Sequence, residues 1–211
     1  MEARDRRGAA QQLCRIITGF YRRGWCLATS GNFSTRTQND PFRLLITRSG
    51  LDKGLVGPDD WIVVDGDGRP ADGETGKPSA ETFLHAAVAK QMEAASVMHT
   101  HSIPATLVSE HFRTGGGVTI RGYEILKGLR GVTTHEQEIF LPIVDNAQDM
   151  QVLYERVQPR LATRPRPHGF LIAGHGLYTW GDSIEEAKRH VETLEFLLDC
   201  VARRTRFAPF E

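Results

Sequence analysis

The chain carries no net charge: 26 lysines and arginines are matched by 26 aspartates and glutamates in 211 residues. Without a field of one sign there is little to draw in a nucleic acid or a membrane surface, and a small-molecule ligand fits better. Cysteine is scarce. Cys14, Cys26 and Cys200 are odd in number and lack metal-type spacing, which argues against a disulfide framework and for reduced thiols in a cytoplasmic protein. None of the three is a strong nucleophile candidate. Long apolar runs are missing as well: nothing approaches the roughly 20 residues of a membrane span. The charged opening, Met1-Glu2-Ala3-Arg4-Asp5-Arg6-Arg7, lacks the apolar centre of a signal peptide. Linkers rich in Pro and Ser, internal repeats and low-complexity segments are also absent. With 40% hydrophobic residues the expectation is a single domain over residues 1–211 with a substantial core.

What is present is a mixture of helical and extended patterns. Leu13, Ile16, Ile17 and Phe20 recur at helical spacing, and Gly24 supplies a stop. Short β-rich runs follow at 32–36, 43–47 and 61–65, separated by Gly, Pro, Asn and Asp. Lys77-Pro78-Ser79-Ala80-Glu81 opens a helix with Ser79 as its N-cap and Leu84, Ala87 and Val88 facing inward. A strand is expected at 96–101, a short helix at 103–110, a flexible break at Gly115-Gly116-Gly117 and a further helix at 123–129. Beyond these come a strand at 139–144, a helix at 149–161, and two strands or one bent strand at 169–173 and 177–180. Ser183-Ile184-Glu185-Glu186 is a capping box that starts a long helix, whose stripe of Ile184, Ala187, Val191, Leu194, Leu198 and Val201 belongs to the core. Strands that cluster early and in the middle, with helices between, predict an α/β layered domain rather than a regular βαβ repeat.

The chemistry centres on Val97-Met98-His99-Thr100-His101-Ser102. On a strand, residues two apart point the same way, so both imidazoles share a face. They supply half of a tetrahedral shell for zinc or a similar ion, or else they are two hydrogen-bonded core histidines. His175, between Gly174 and Gly176, is a third candidate, and three protein ligands with one open position characterise a catalytic zinc. Thr29-Ser30-Gly31-Asn32 and Thr47-Arg48-Ser49-Gly50, the latter followed by Lys53, expose backbone N–H groups that suit a phosphate, although such turns also occur without ligands. Glu81 sits where it could complement the dipole of its helix. Glu124, in Gly122-Tyr123-Glu124-Ile125-Leu126-Lys127-Gly128, is an exposed helix charge or an acid/base for enolisation.

Taken in order, Ser30-Gly31-Asn32, Ile46-Thr47-Arg48-Ser49-Gly50, Lys77-Pro78-Ser79-Ala80-Glu81, His99-Thr100-His101-Ser102 and Gly174-His175-Gly176 resemble the class II aldolase/adducin family over nearly the whole chain. Further motifs resemble its branch that dehydrates methylthioribulose 1-phosphate in methionine salvage. These are Glu124-Ile125-Leu126-Lys127-Gly128, Thr134-His135-Glu136, Leu141-Pro142-Ile143-Val144-Asp145-Asn146 and His175-Gly176-Leu177-Tyr178-Thr179-Trp180-Gly181.

The resemblance implies a single layered domain with a central, mostly antiparallel β-sheet flanked by helices. It implies one zinc per subunit held by His99, His101 and His175, and a phosphate pocket drawn from Gly31, Asn32, Ser49, Gly50 and Ser79. Glu124 would be the catalytic acid/base, in a cyclic homotetramer where it reaches a neighbouring subunit's zinc. Sugar-phosphate aldolases of the family carry two serines before a catalytic Glu. Here Ala80 replaces the second serine and Glu81 keeps the carboxylate, so an aldolase or epimerase acting on a ketose phosphate is the alternative. A non-catalytic adducin-like interaction module is a further one, against which the three histidines speak. Phe112, Tyr123 and Phe140 are candidate walls for an apolar substituent.

Overall fold

The computed structural model describes residues 3–204. Its first half runs α1 (Ala3–Arg22), β1 (Asn32–Gln38), β2 (Arg43–Thr47), β3 (Trp61–Val64), α2 (Thr82–Gln91), β4 (Ser96–Thr100) and α3 (Ile103–His111). The second half runs β5 (Gly117–Ile120), β6 (Ile139–Val144), α4 (Met150–Leu161), β7 (Gly169–Ile172), β8 (Gly176–Gly181) and α5 (Ile184–Arg204). The strands form one sheet of eight in the order β3-β2-β1-β4-β8-β7-β6-β5. Only β6 and β7 pair in parallel, so the expected antiparallel layered architecture is what the chain adopts.

β4 lies inside the sheet between β1 and β8, and all five of its residues are buried. Its alternation divides the core. Val97 packs with α2 and α4 through Leu84, Val88, Leu153 and Val157, whereas Met98 packs with α1 and α5 through Leu13, Ile17, Phe20 and Val191. A third cluster joins α3 and α5 to β5, β6 and β7, through Val108, Leu126, Leu141, Leu171 and Leu194. The predicted stripe on α5 is this core: Ile184, Ala187, Val191, Leu194 and Leu198 are buried. Its capping box forms at Ser183, whose Oγ accepts from the N–H of Glu186 at 3.0 Å, while Glu186 accepts in return from Asp182.

Three local expectations change. The helix after Ser79 begins at Thr82, with Glu81 rather than Ser79 in the cap position and no side-chain cap bond. The reason is local: Ser79 Oγ accepts from Asn32, and Glu81 turns toward the same side chain. The break expected at 115–117 ends in a strand, because Val118 and Ile120 alternate inward with Thr119 outward and pair with β6. Residues 124–128 make one turn of 3₁₀ helix instead of an α-helix.

Two glycines fix how closely the strands around His99 approach. A Cβ on Gly176 would stand 2.0 Å from the carbonyl oxygen of Thr100, and one on Gly31, at φ +77°, would stand 2.7 Å from that of His99. Backbone cannot yield as a flexible side chain can. Gly176→Ala is therefore expected to cost about 3 kcal/mol through overpacking, read as a lowered urea midpoint, and to loosen the turn that carries His175.

Candidate metal centre and active site

His99 enters the site from the middle of β4, His101 from just past its end, and His175 from the three-residue connection between β7 and β8. The register of β4 against β8, with Thr100 opposite Leu177, brings this connection beside the first two histidines. Their Nε2 atoms converge: 2.7 Å separates His99 from His101, 3.1 Å His101 from His175, and 3.2 Å His99 from His175. Glu81 completes the group, its Oε2 3.4 Å from His99 Nε2 and its Oε1 3.4 Å from His175 Nε2.

Such a cluster fits a cation and little else. His99 Nδ1 donates to the carbonyl of Leu177 at 2.9 Å, which fixes the tautomer and leaves the lone pair of Nε2 facing the other two rings. The His99 ring also stacks on Tyr178 with centroids 4.0 Å apart. Burial, with the other histidines adding to it, holds the His99 imidazole well below its ordinary pKa, and burial with His175 and Lys53 pushes His101 down to about 4. Neutral imidazoles are the form that metals take. Tetrahedral zinc with bonds of about 2.0–2.1 Å has nitrogens roughly 3.3 Å apart, which two sides of this triangle, at 3.1 and 3.2 Å, approach and the third, at 2.7 Å, falls short of.

The cluster opens on a cavity of about 570 Å³. Gly31, Asn32, Ser49, Gly50 and Ser79 all line it, together with Glu81, His101 and His175. The two Ser/Gly turns therefore meet the metal cluster in one place, although 47 positions separate Asn32 from Ser79. Asn32 is not a free wall residue: its Nδ2 donates to Glu81 Oε2 at 2.7 Å and to Ser79 Oγ at 2.9 Å. Lys53 is buried and donates to the carbonyls of Thr29 and Leu51, so it pins the two loops together. Arg48, to which the sequence alone gave no role, also lines the cavity, its Nε buried without a hydrogen-bond partner. Its place inside the Thr47–Gly50 turn was the available signal.

Glu124 is placed elsewhere. Its side chain is 70% exposed, paired with Lys127 and 3.5 Å from His135 Nδ1, and it does not line this cavity. Hydrogen bonding to Lys127, whose charge acts in the same sense, holds its carboxyl below the usual range. Phe112 and Tyr123 pack against the α3–α5 core and Phe140 is about half exposed, so none of these three walls the cavity either. Cys26 is buried with its thiol pushed up to about 12, in keeping with an inert cysteine.

Beneath the centre, on the other face of the sheet, Thr100 Oγ1 donates to Glu195 Oε1 on α5. Burial pushes the Glu195 carboxyl up to about 7, against the lowering influence of the Ser102 and Thr100 hydroxyls.

A sequence profile for the family described as Class II Aldolase and Adducin N-terminal domain matches residues 11–201. The chain belongs to this family. It is 44% identical over 192 residues to a methylthioribulose-1-phosphate dehydratase of Sorangium cellulosum, covering 90% of each protein. With the enzyme of the same name from Pseudomonas aeruginosa it shares 44% over 198 residues, covering 93% of this chain and 94% of that one. Among solved structures, the L-fuculose-1-phosphate aldolase of Thermus thermophilus superposes with a TM-score of 0.73 at 23% identity over 99% of both chains. A sugar-phosphate aldolase of Thermotoga maritima gives 0.65 at 17% identity, over 96% of this chain and 98% of that one. These two show the fold.

Two outcomes are expected. His101→Ala removes one corner of the triangle and should abolish stoichiometric divalent metal in metal analysis of the purified protein, while the fold, followed by circular dichroism, persists. For Glu195 the folded pKa is raised above the unfolded value near 4.5, so the native state holds the proton more tightly and stability falls as pH rises from about 4.5 to about 7. Glu195→Gln keeps an acceptor for Thr100 and removes the charge. In urea unfolding at pH 5 and pH 8, it should lose less stability than the parent across that interval, by up to about 3 kcal/mol.

Proposed function

We propose that the chain is a zinc-dependent hydro-lyase that converts 5-methylthioribulose 1-phosphate to 5-methylthio-2,3-dioxopentyl phosphate and water, a step of methionine salvage. The observation that carries this reading is the single cavity in which a three-imidazole, one-carboxylate cluster faces two Ser/Gly turns. Relatives named for this activity, at 40–44% identity over about nine-tenths of the chain, support it.

In this reading His99, His101 and His175 hold the zinc, with Glu81 beside it. When bound, the ion supplies a Lewis acid for negative charge that develops on oxygen. The backbone N–H groups of Gly31, Asn32 and Gly50, the hydroxyls of Ser49 and Ser79 and the guanidinium of Arg48 take the C1 phosphate. That grip places C3 and C4 of the sugar toward the cluster. A carboxylate then removes the C3 proton, and a carboxylic acid protonates the C4 hydroxyl so that it leaves as water. The resulting enol becomes the 2,3-diketone by taking a proton at C4.

Glu124 is assigned both proton transfers, acting at the boundary with a neighbouring subunit in a cyclic homotetramer. Its surface position in the single chain is what such a role requires, since it must project outward to reach another chain's cavity. Docking would also strip water from its carboxyl and raise the pKa that Lys127 now lowers, toward the range of a working acid. A groove of about 740 Å³ near the site, where the large apolar side chains of Leu27, Ile103, Leu107 and Phe196 are exposed, supports a subunit contact. Reduced Cys14, Cys26 and Cys200 suit the cytoplasm. Among the described residues no helix is long and apolar enough to cross a membrane.

A specific observation favours one alternative. Glu81, not Glu124, lies in the cavity of the chain itself, as a catalytic carboxylate of an aldolase would. The test is incubation of zinc-loaded protein with 5-methylthioribulose 1-phosphate, products being followed by mass. Loss of one water, roughly 18 Da, is expected from the parent, and a loss of at least about a hundredfold in rate from Glu124→Gln with zinc retained. Cleavage of fuculose 1-phosphate to dihydroxyacetone phosphate, with the methylthio substrate untouched, would instead establish the aldolase. Full activity of Glu124→Gln would remove that residue from the mechanism.

A further inference from the structure

His85 sits on α2, one helical turn after Glu81, fully buried and with no direct place in the cavity. Its Nε2 is 2.6 Å from Asn32 Oδ1 and its Nδ1 2.8 Å from Ser34 Oγ. Asn32 in turn donates through Nδ2 to Glu81 Oε2 at 2.7 Å. The sense of each bond follows from the last one. A carboxylate accepts only, so the amide must present its nitrogen to Glu81 and its oxygen to His85. An amide oxygen accepts only, so His85 carries its proton on Nε2 and accepts on Nδ1 from the hydroxyl of Ser34, which at 2.8 Å is closer to Nδ1 than to its other acceptor, the Val97 carbonyl at 3.3 Å. The chain of donors is polarised in one direction, and its end is an oxygen 3.4 Å from His99 Nε2.

A histidine buried only to tie elements together has simpler partners. His190 is such a case, with Nδ1 donating to the carbonyl of Trp180 and Nε2 accepting from the N–H of Arg130. His85 instead has two side-chain partners, one of which holds a carboxylate of the metal cluster. It also packs edge-on against Tyr178, the ring stacked under His99, so its own orientation is fixed by packing.

We infer that His85 is a positioning residue for the metal centre: by donating to Asn32 it locks the amide so that Asn32 holds the Glu81 carboxylate against the imidazole triangle. This inference rests on the reading that the cluster binds a divalent ion. It gives Asn32 a different duty from an anion contact through its side chain, because both hydrogens of the amide are directed at Ser79 and Glu81. Without the donor at position 85, Oδ1 is left buried without a partner, and the amide loses the contact that fixes its position against the carboxylate.

The experiment compares the full-length parent with His85→Leu, His85→Gln and Asn32→Asp. Zinc affinity is read by competition with a chelating dye, the ligand field by the visible spectrum of the cobalt-loaded protein, and folding by the thermal midpoint. Leucine fills the space but cannot donate. His85→Leu is expected to bind zinc about 10- to 100-fold more weakly and to shift the cobalt bands. In His85→Gln the amide nitrogen occupies the same position as Nε2 and can donate, so affinity within about threefold of the parent is expected on the same grounds. Asn32→Asp still accepts from His85 but opposes Glu81 with an acceptor, and it should be at least as weak as His85→Leu; it carries the test should the leucine variant not fold. Parent-like affinity and spectrum in His85→Leu or in Asn32→Asp would overturn the positioning role while leaving the metal site standing. A parent that binds neither zinc nor cobalt would overturn the metal reading and this inference with it.

Discussion

Three imidazole nitrogens within about 3 Å of one another are the constraint from which the rest of the structure follows. So close a meeting of ring nitrogens is stabilised by a shared proton or a cation. Holding three rings in that position takes rigid supports. β4 provides them by lying inside the sheet, paired on both sides, and by ending where His101 leaves it. Gly31 and Gly176 allow the flanking segments to come closer than any side chain would permit, so that the β7–β8 connection delivers His175 to the same point. The sheet is there for packing, but the positions of its glycines answer to the site.

The surroundings divide the electrostatic work. On one face burial keeps His99 and His101 neutral, Glu81 stands beside them, and Asn32 and His85 hold Glu81 in turn. On the other face Thr100 and Glu195 lie under the strand. At the mouth, Arg48 and the Ser/Gly turns supply the donors that an anion wants. A chain with no net charge can thus create a sharply polar cavity, because what matters there is the order of a few groups over several ångströms rather than the total.

Much of this was legible beforehand. The apolar periodicities of α1 and α5 and the capping box at Ser183 named their elements, and the spacing of His99 and His101 named the centre, because a strand puts alternate residues on one side. What stayed hidden depends on contacts distant in sequence. Ser79 has the chemistry of an N-cap, yet its hydroxyl is engaged by Asn32, 47 residues earlier, and the helix starts at Thr82. His85 had no role in the sequence, which does not tell that Asn32 lies across from it. The strand at Gly117–Ile120 was masked by the run Gly115-Gly116-Gly117 at its start, which read as a break until β6 supplied a partner. Arg48 stood inside a motif already marked, but a cation in a Ser/Gly turn has no fixed direction until the fold gives it one. Glu124 poses a different difficulty: its position in the single chain is on the surface, and the role assigned to it depends on a second chain.

The replacement of a second serine by Ala80 fits this division of labour. Ala80 lines the cavity and contributes no hydroxyl there, where the aldolase-like motif would contribute one. A neutral hydrogen bond to phosphate is worth about 1 kcal/mol, whereas one from a charged donor is worth about 1.5–3 kcal/mol. In the proposed phosphate site, a charged contact from Arg48 would outweigh the missing hydroxyl. The two grips differ in kind: hydroxyls surround a phosphate with many weak directional contacts, while a guanidinium holds it by a planar, charged fork from one side. Asn32 holds the Glu81 carboxylate inside the cavity, whereas in the proposed mechanism Glu124, which does not line it, would have to approach from another chain.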